Sequence, residues 1–215
     1  EHHDALATMM RLGRILRTQR YKDGAIAFEQ PEVRFELDDK GKPIRAYAKV
    51  RTETMLMIED FMLLANREVA TLMAQKGKSQ EIPFPYRVHD VPDPDRLMDF
   101  QRFARELGFS LQIDTPKQIS KSFNRLAEAA KEDEKLRLLE PLAIRTMAKA
   151  IYTTNNIGHY GLAFDFYTHF TSPIRRYSDV LVHRILDANL HAIHREDKTN
   201  LEARCKHISE RERAA

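Results

Sequence analysis

The chain has 215 residues, 42% hydrophobic and 31% charged, with a formal net charge of +3 and only 7 Gly and 9 Pro. That length supports one large domain or two small ones with a real core, and the composition excludes a disordered tail and argues for helix over an all-β fold. A single cysteine, Cys205, excludes a disulfide framework and a cysteine zinc site, as expected of an intracellular protein.

The mild positive charge suits an anionic partner without requiring one. No apolar run approaches the roughly 18 residues of a membrane span. The opening EHHDALATMM lacks the charged start and apolar run of a signal peptide. It runs directly into a helical pattern without an initiator Met, so the chain is expected to be cut from something longer.

Asp4 to Tyr21 reads as an amphipathic helix, with Leu6, Met9, Leu12, Ile15 and Leu16 at the helical period. Arg11, Arg14, Arg17 and Arg20 supply its polar side, read as a solvated face or a contact to phosphates. Asp23-Gly24 ends it. Ala25 to Leu37 alternates as a strand, Asp38 to Lys42 turns, and Ile44 to Val50 returns as the second strand of a hairpin. Phe28 reads first as a core aromatic.

Thr54 to Gln75 is the clearest helix. Ile58, Met62, Ala65, Val69 and Leu72 step along one stripe, and Glu59 and Asn66 lie on one line beside it. A carboxylate and an amide so near a core face need partners, which neighbouring backbone can supply. Lys76 to Pro85 reads as a linker. Asp93 to Leu107, Lys117 to Ala130 and Lys135 to Ile151 read as further helices, with Asp93 or Asp95 as the start of the first. The spacing of Asp90, Asp93 and Asp95 invites a metal reading, but the intervening prolines break any rigid ligand loop. The pair His191 and His194 has no third ligand nearby.

Tyr152 to Thr171 is a long loop-like passage, and long loops in compact domains usually carry function. Thr171-Ser172-Pro173-Ile174-Arg175-Arg176 then reads as a helix start, with Ser172 as N-cap and Pro173 at the first position. Two arginines in a first turn oppose the helix dipole, at a cost of up to about 1 kcal/mol, unless an anion offsets them. Free N–H groups and two guanidinium forks suit a phosphate. Pairing of Arg175 or Arg176 with Asp179 is compatible with that reading, and an Arg175–Asp179–His183 network positioning Arg175 is the expected arrangement. Leu201 to Ala215 is a final helix.

The string GHYGLAFDFYTHFTSPIRRYSDVLVHR closely resembles the signature near the end of the catalytic domain of the ribonuclease II / ribonuclease R family of 3′→5′ exoribonucleases. GAIAF, IEDFMLLANREVA and ISERERAA resemble further family segments, in the same order. The resemblance is closest to the ribonuclease R branch. It implies an α+β fold, mostly helical with one antiparallel hairpin near residues 25–50. It makes residues 1–215 the C-terminal portion of a single catalytic domain.

By position, the resemblance makes Arg175, Arg176 and Glu59 catalytic. It places Phe28, Asn66, His159, Ser172, Asp179 and Glu210 along the RNA path. Phe28 would stack on a terminal base, and Glu59 would fix the last sugar and phosphate. The family reaction is Mg²⁺-dependent, processive release of 5′-nucleoside monophosphates from single-stranded RNA. Its metal-binding aspartates form a close cluster that has no counterpart here and is expected upstream of Glu1, with the cold-shock domains, while an S1 domain is expected downstream.

The expectation is therefore a cytoplasmic exoribonuclease segment that is inactive alone, with single-stranded RNA and the upstream part of the same polypeptide as partners. The competing readings are a non-catalytic RNA-binding module of the same family and a helical interaction scaffold.

Overall fold

The computed structural model describes residues 2–28 and 33–214. Helix α1 (His3–Asp23) ends at Gly24, whose φ of 115° is the left-handed conformation that a Cβ would oppose. Strands β1 (Val33–Leu37) and β2 (Pro43–Ala48) form the expected antiparallel hairpin, with Phe35 opposite Ala46. The strand expected over Ala25 to Leu37 begins at Val33 among the described residues, which do not include 29–32 of that expected strand. Every residue of β1 and β2 is exposed.

Helix α2 (Glu53–Lys76) is capped by the Thr52 hydroxyl, which accepts from Met55 N–H. Its inward face is rotated from the expected stripe. Met57, Asp60, Asn66, Ala70 and Met73 are buried, whereas Ile58 and Leu72 are exposed. The α1–α2 interface causes the rotation. Gly13, the buried residue of α1, faces Met57 and Asp60 of α2, which are three residues apart and so lie on one face of that helix.

The expected linker after α2 is core. Ile82 and Phe84 are buried there and lead into β3 (Tyr86–Val88). Helices α3 (Pro94–Glu106) and α4 (Pro116–Glu132) start at the Asp93 and Thr115 side-chain caps. Ile119, Phe123, Leu126 and Ala130 are all buried, as the period of α4 predicts.

The helix expected over Lys135 to Ile151 is broken into α5 (Glu134–Arg137) and α6 (Leu139–Thr146). The segment then becomes β4 (Ile151–Thr153), which pairs antiparallel with β3. Periodicity cannot reveal this second sheet, because a three-residue strand buried in the middle has no period to read. Helices α7 (Tyr177–Ala188) and α8 (Lys198–Ala214) complete the chain.

Two apolar clusters organise these elements. One joins α2, β3, β4, α7 and α8 through Met73, Phe84, Val88, Leu181 and Leu201. The other joins α3, α4 and α6 through Phe100, Phe123, Leu126 and Leu139, with Phe28 packed at its edge. The fold is α+β, mostly helical, with two small antiparallel sheets.

Candidate nucleic-acid interface

The segment Thr171 to Arg176 is not a helix start. Pro173 to Arg175 form a turn, in which Ser172 C=O accepts from both Arg175 N–H and Arg176 N–H. The helix begins at Tyr177, because Asp179 draws the preceding chain across its N-terminus. Asp179 is fully buried and accepts from Ser172 N–H at 2.7 Å, Arg176 Nε at 2.8 Å and Arg176 Nη2 at 2.9 Å. The Ser178 hydroxyl adds a fourth bond at 3.1 Å. Burial pushes the Asp179 carboxyl up, but the Arg176, Ser172 and Ser178 donors outweigh it and hold the group below the usual carboxylate range.

The expected Arg175–Asp179–His183 network is therefore corrected. The partner of Asp179 is Arg176, which the i, i+3 spacing within the turn favours. His183 Nε2 instead meets Phe170 C=O at 2.9 Å, its ring stacked on Phe170 at 4.1 Å. The Arg175 side chain makes no hydrogen bond or ion pair among the described residues and is exposed.

Asn66 holds the same turn from the other side. Its Oδ1 accepts from Phe170 N–H at 2.9 Å and Thr171 N–H at 3.2 Å, and its Nδ2 donates to the Tyr167 hydroxyl at 3.1 Å. The buried amide thus serves backbone, the plainer of its two sequence readings. Two residues on different helices, Asn66 and Asp179, fix the backbone that presents Arg175.

Phe28 and Glu59 meet at a second place. They line a cleft of about 910 Å³ that also receives Arg17, Arg20, Arg51 and Asp60. Phe28 packs one side on Phe123, with ring centroids 5.5 Å apart. Glu59 is exposed and paired with Arg51. The buried carboxylate is its neighbour Asp60, held by Arg17 at 3.0 Å and Arg20 at 3.7 Å. Burial leaves Asp60 above the usual carboxylate range despite both arginines. Arg17 and Arg20 are consequently half-buried at the cleft and paired with Asp60 rather than a solvated face, while Arg14 pairs with Glu53.

His159 packs on Tyr167, the residue whose hydroxyl Asn66 bonds, and does not line the cleft. Its N–H donates to Phe164 C=O at 2.8 Å, and its ring faces His89 at 5.0 Å and Tyr167 at 5.3 Å. Burial, with His89 and Arg87 nearby, pushes its pKa down to about 3. Glu210 is exposed on α8 and has no side-chain partner among the described residues.

Residues 1–192 match the RNB domain. The chain belongs to the RNB domain family. It is 40% identical over 182 residues to ribonuclease R of Ureaplasma parvum serovar 3, covering 81% of this chain and 25% of that protein. It is 36% identical over 216 residues to ribonuclease R of Aquifex aeolicus, covering 99% of this chain and 30% of that protein. Mycoplasma genitalium RNase R, solved in complex with ribose methylated single-stranded RNA, matches with a TM-score of 0.82 at 29% identity, over 96% of this chain and 32% of that one. The RNB chain thus spans about a quarter to a third of the length of these relatives.

Within this RNB chain, sequence reasoning missed two buried groups, Asp60 and Tyr152, and two half-buried ones, Arg87 and His169. Asp60 adjoins Glu59, and only the true phase of α2 says which carboxylate turns inward. Arg87 and Tyr152 face each other across β3 and β4, a pairing that no local pattern announces. Arg87 stacks over the Tyr152 ring at 4.6 Å and bonds Glu212 at 2.5 Å.

Proposed function

We propose that this chain is the RNA-gripping part of a longer 3′→5′ exoribonuclease that hydrolyses single-stranded RNA processively, with Mg²⁺, in the cytoplasm. The observation that carries the reading is the free Arg175 guanidinium on a turn clamped by Asn66 and Asp179. A pre-positioned guanidinium with no internal partner stabilises charge on a phosphate without reorganising. The names of the ribonuclease R relatives support the reaction class.

Phe28 would stack on a base at the cleft, a contact worth about 1–3 kcal/mol. Glu59 would accept from the last sugar, exchanging Arg51 for ribose hydroxyls. Magnesium requires several carboxylate oxygens. Among the described residues no group of three or more His, Cys, Asp or Glu side chains could hold a metal ion. These residues do not fit the metal, so the chain's own contribution is binding and orientation. We infer that it does not cleave RNA alone.

Incubation with a 5′-labelled single-stranded RNA and Mg²⁺ tests both statements in the same samples. The expected result is binding without cleavage, with binding lost in Arg175→Ala. A ladder shrinking from the 3′ end would overturn the inferred inactivity. The missing metal donors also favour a second reading, a non-catalytic RNA-binding module. A longer polypeptide containing this chain that binds RNA but never shortens it would establish that reading instead.

A further inference from the structure

The Arg175 turn has a neighbour that the reading above does not use. Tyr152 sits in the middle of β4, its N–H bonded to the Ser209 hydroxyl of α8 at 2.9 Å. Arg87 from β3 covers one face of its ring. The phenol so fixed places its oxygen 2.6 Å from His169 Nδ1. A phenol is a stronger acid than a neutral imidazole N–H, and the imine nitrogen is the stronger base. Assigned on that ground as the donor to Nδ1, with the Ser178 hydroxyl also beside it, the phenol places the imidazole proton on Nε2.

Nε2 makes no hydrogen bond among the described residues and is not sealed from solvent. The Tyr167 ring meets the imidazole edge-on at 5.6 Å. The charged groups around it are Arg176, Arg87 and Arg175, with Asp179 paired to Arg176 and Glu212 paired to Arg87, and His159 neutral nearby. Burial and the three guanidinium groups push its pKa down to about 3, so the ring is neutral under ordinary conditions.

We propose that His169 is a phosphate-binding residue: locked by the Tyr152 hydroxyl with its proton on Nε2, it donates a neutral N–H to an RNA phosphate oxygen beside the Arg175 guanidinium. Tyr152 is the positioning residue. The proposal rests on the reading of Arg175 as a phosphate contact. A neutral donor has one use a further cation lacks: it adds a directed bond without repelling the unpaired Arg175 guanidinium or disturbing the Arg176–Asp179 and Arg87–Glu212 pairs.

The test combines ¹⁵N NMR of histidine-labelled chain with affinity for a labelled single-stranded oligoadenylate. His169 should show a proton on Nε2 that persists to pH 5, and Tyr152→Phe should abolish the fixed tautomer. His169→Leu should weaken RNA binding about tenfold, the scale of one hydrogen bond to a charged group. His169→Gln, whose amide reaches roughly the position of Nε2, should keep most of the affinity.

Equal losses in His169→Leu and His169→Gln would mean packing rather than donation and would overturn the proposal. Binding that survives His169→Leu but fails in Arg175→Ala would overturn it while sparing the functional reading. An unaltered chain that binds no RNA would overturn both.

Discussion

Arg176 and Asp179 form a two-point ion pair, Nε to Oδ2 at 2.8 Å and Nη2 to Oδ1 at 2.9 Å, with the carboxylate fully buried. The pair divides two adjacent arginines between two tasks. Arg176 is consumed in holding the turn, and Arg175 is left to face solvent. Asp179→Ala strands Arg176 and releases Ser172 N–H together. The expected loss is about 3 kcal/mol, the low end for breaking a buried pair. Urea unfolding at pH 7 reads it. Because the Asp179 carboxyl is depressed in the fold, its stabilisation is present above the unfolded value near 3.9 and is lost as pH falls through the lower folded value. The difference between Asp179→Asn and wild type should therefore shrink in strong acid.

Asn66→Ala removes the acceptor for Phe170 N–H and Thr171 N–H. Leaving such groups unpaired costs about 2 kcal/mol. RNA affinity should fall as well, because the turn carrying Arg175 loses one of its two anchors. Thermal melting of the free chain reads the stability loss and fluorescence anisotropy with labelled RNA reads the affinity loss, and excess RNA should recover part of the lost order by mass action.

Gly13 lies where α1 meets α2. A Cβ there would sit 3.4 Å from Asp60 Oδ2 and 3.5 Å from Met57 Cα, which is ordinary contact. Gly13→Ala should be neutral or stabilising by up to about 1 kcal/mol through helix propensity. Gly13→Leu should wedge the helices apart and break the Asp60–Arg17 contact. The expected loss is about 1–3 kcal/mol by overpacking, read from denaturant midpoints.

His89, His159 and His169 are all depressed, His159 and His169 to about 3, each chiefly by burial. The unfolded chain takes up these protons near pH 6.5 and the folded chain does not. Their contribution is therefore complete above about pH 6.5 and is lost on acidification, for His159 and His169 down to about pH 3 by about 1.4 kcal/mol per pH unit for each of these two. Unfolding at pH 7.5, 6 and 5 measures the slope. His169→Gln should reduce it by about one proton.

Much of the fold was legible in the chain. The boundaries of α1, α2, α3 and α4 follow from caps and periodicity, since Gly24, Thr52, Asp93 and Thr115 act locally. The family, and with it Arg175, Phe28 and Glu59 as candidates, followed from the TSPIRRY segment and its companions. The phase of α2 did not. Its exposed outer side carries Ile58 and Leu72, so hydrophobicity alone marked the wrong stripe.

The sequence by itself determined which local elements form and which family they belong to, because capping, turn chemistry and motif order are properties of neighbouring residues. Tertiary structure alone decided that Asp179 takes Arg176 rather than Arg175 and that Asp60 rather than Glu59 turns inward. It also decided that Tyr152 reaches His169. Asp60 turns inward because Arg17 and Arg20 arrive from α1, whereas Arg176, only three residues from Asp179, is selected by the turn that Asn66 anchors from α2; the cost of burying a polar group without a partner makes such contacts decisive.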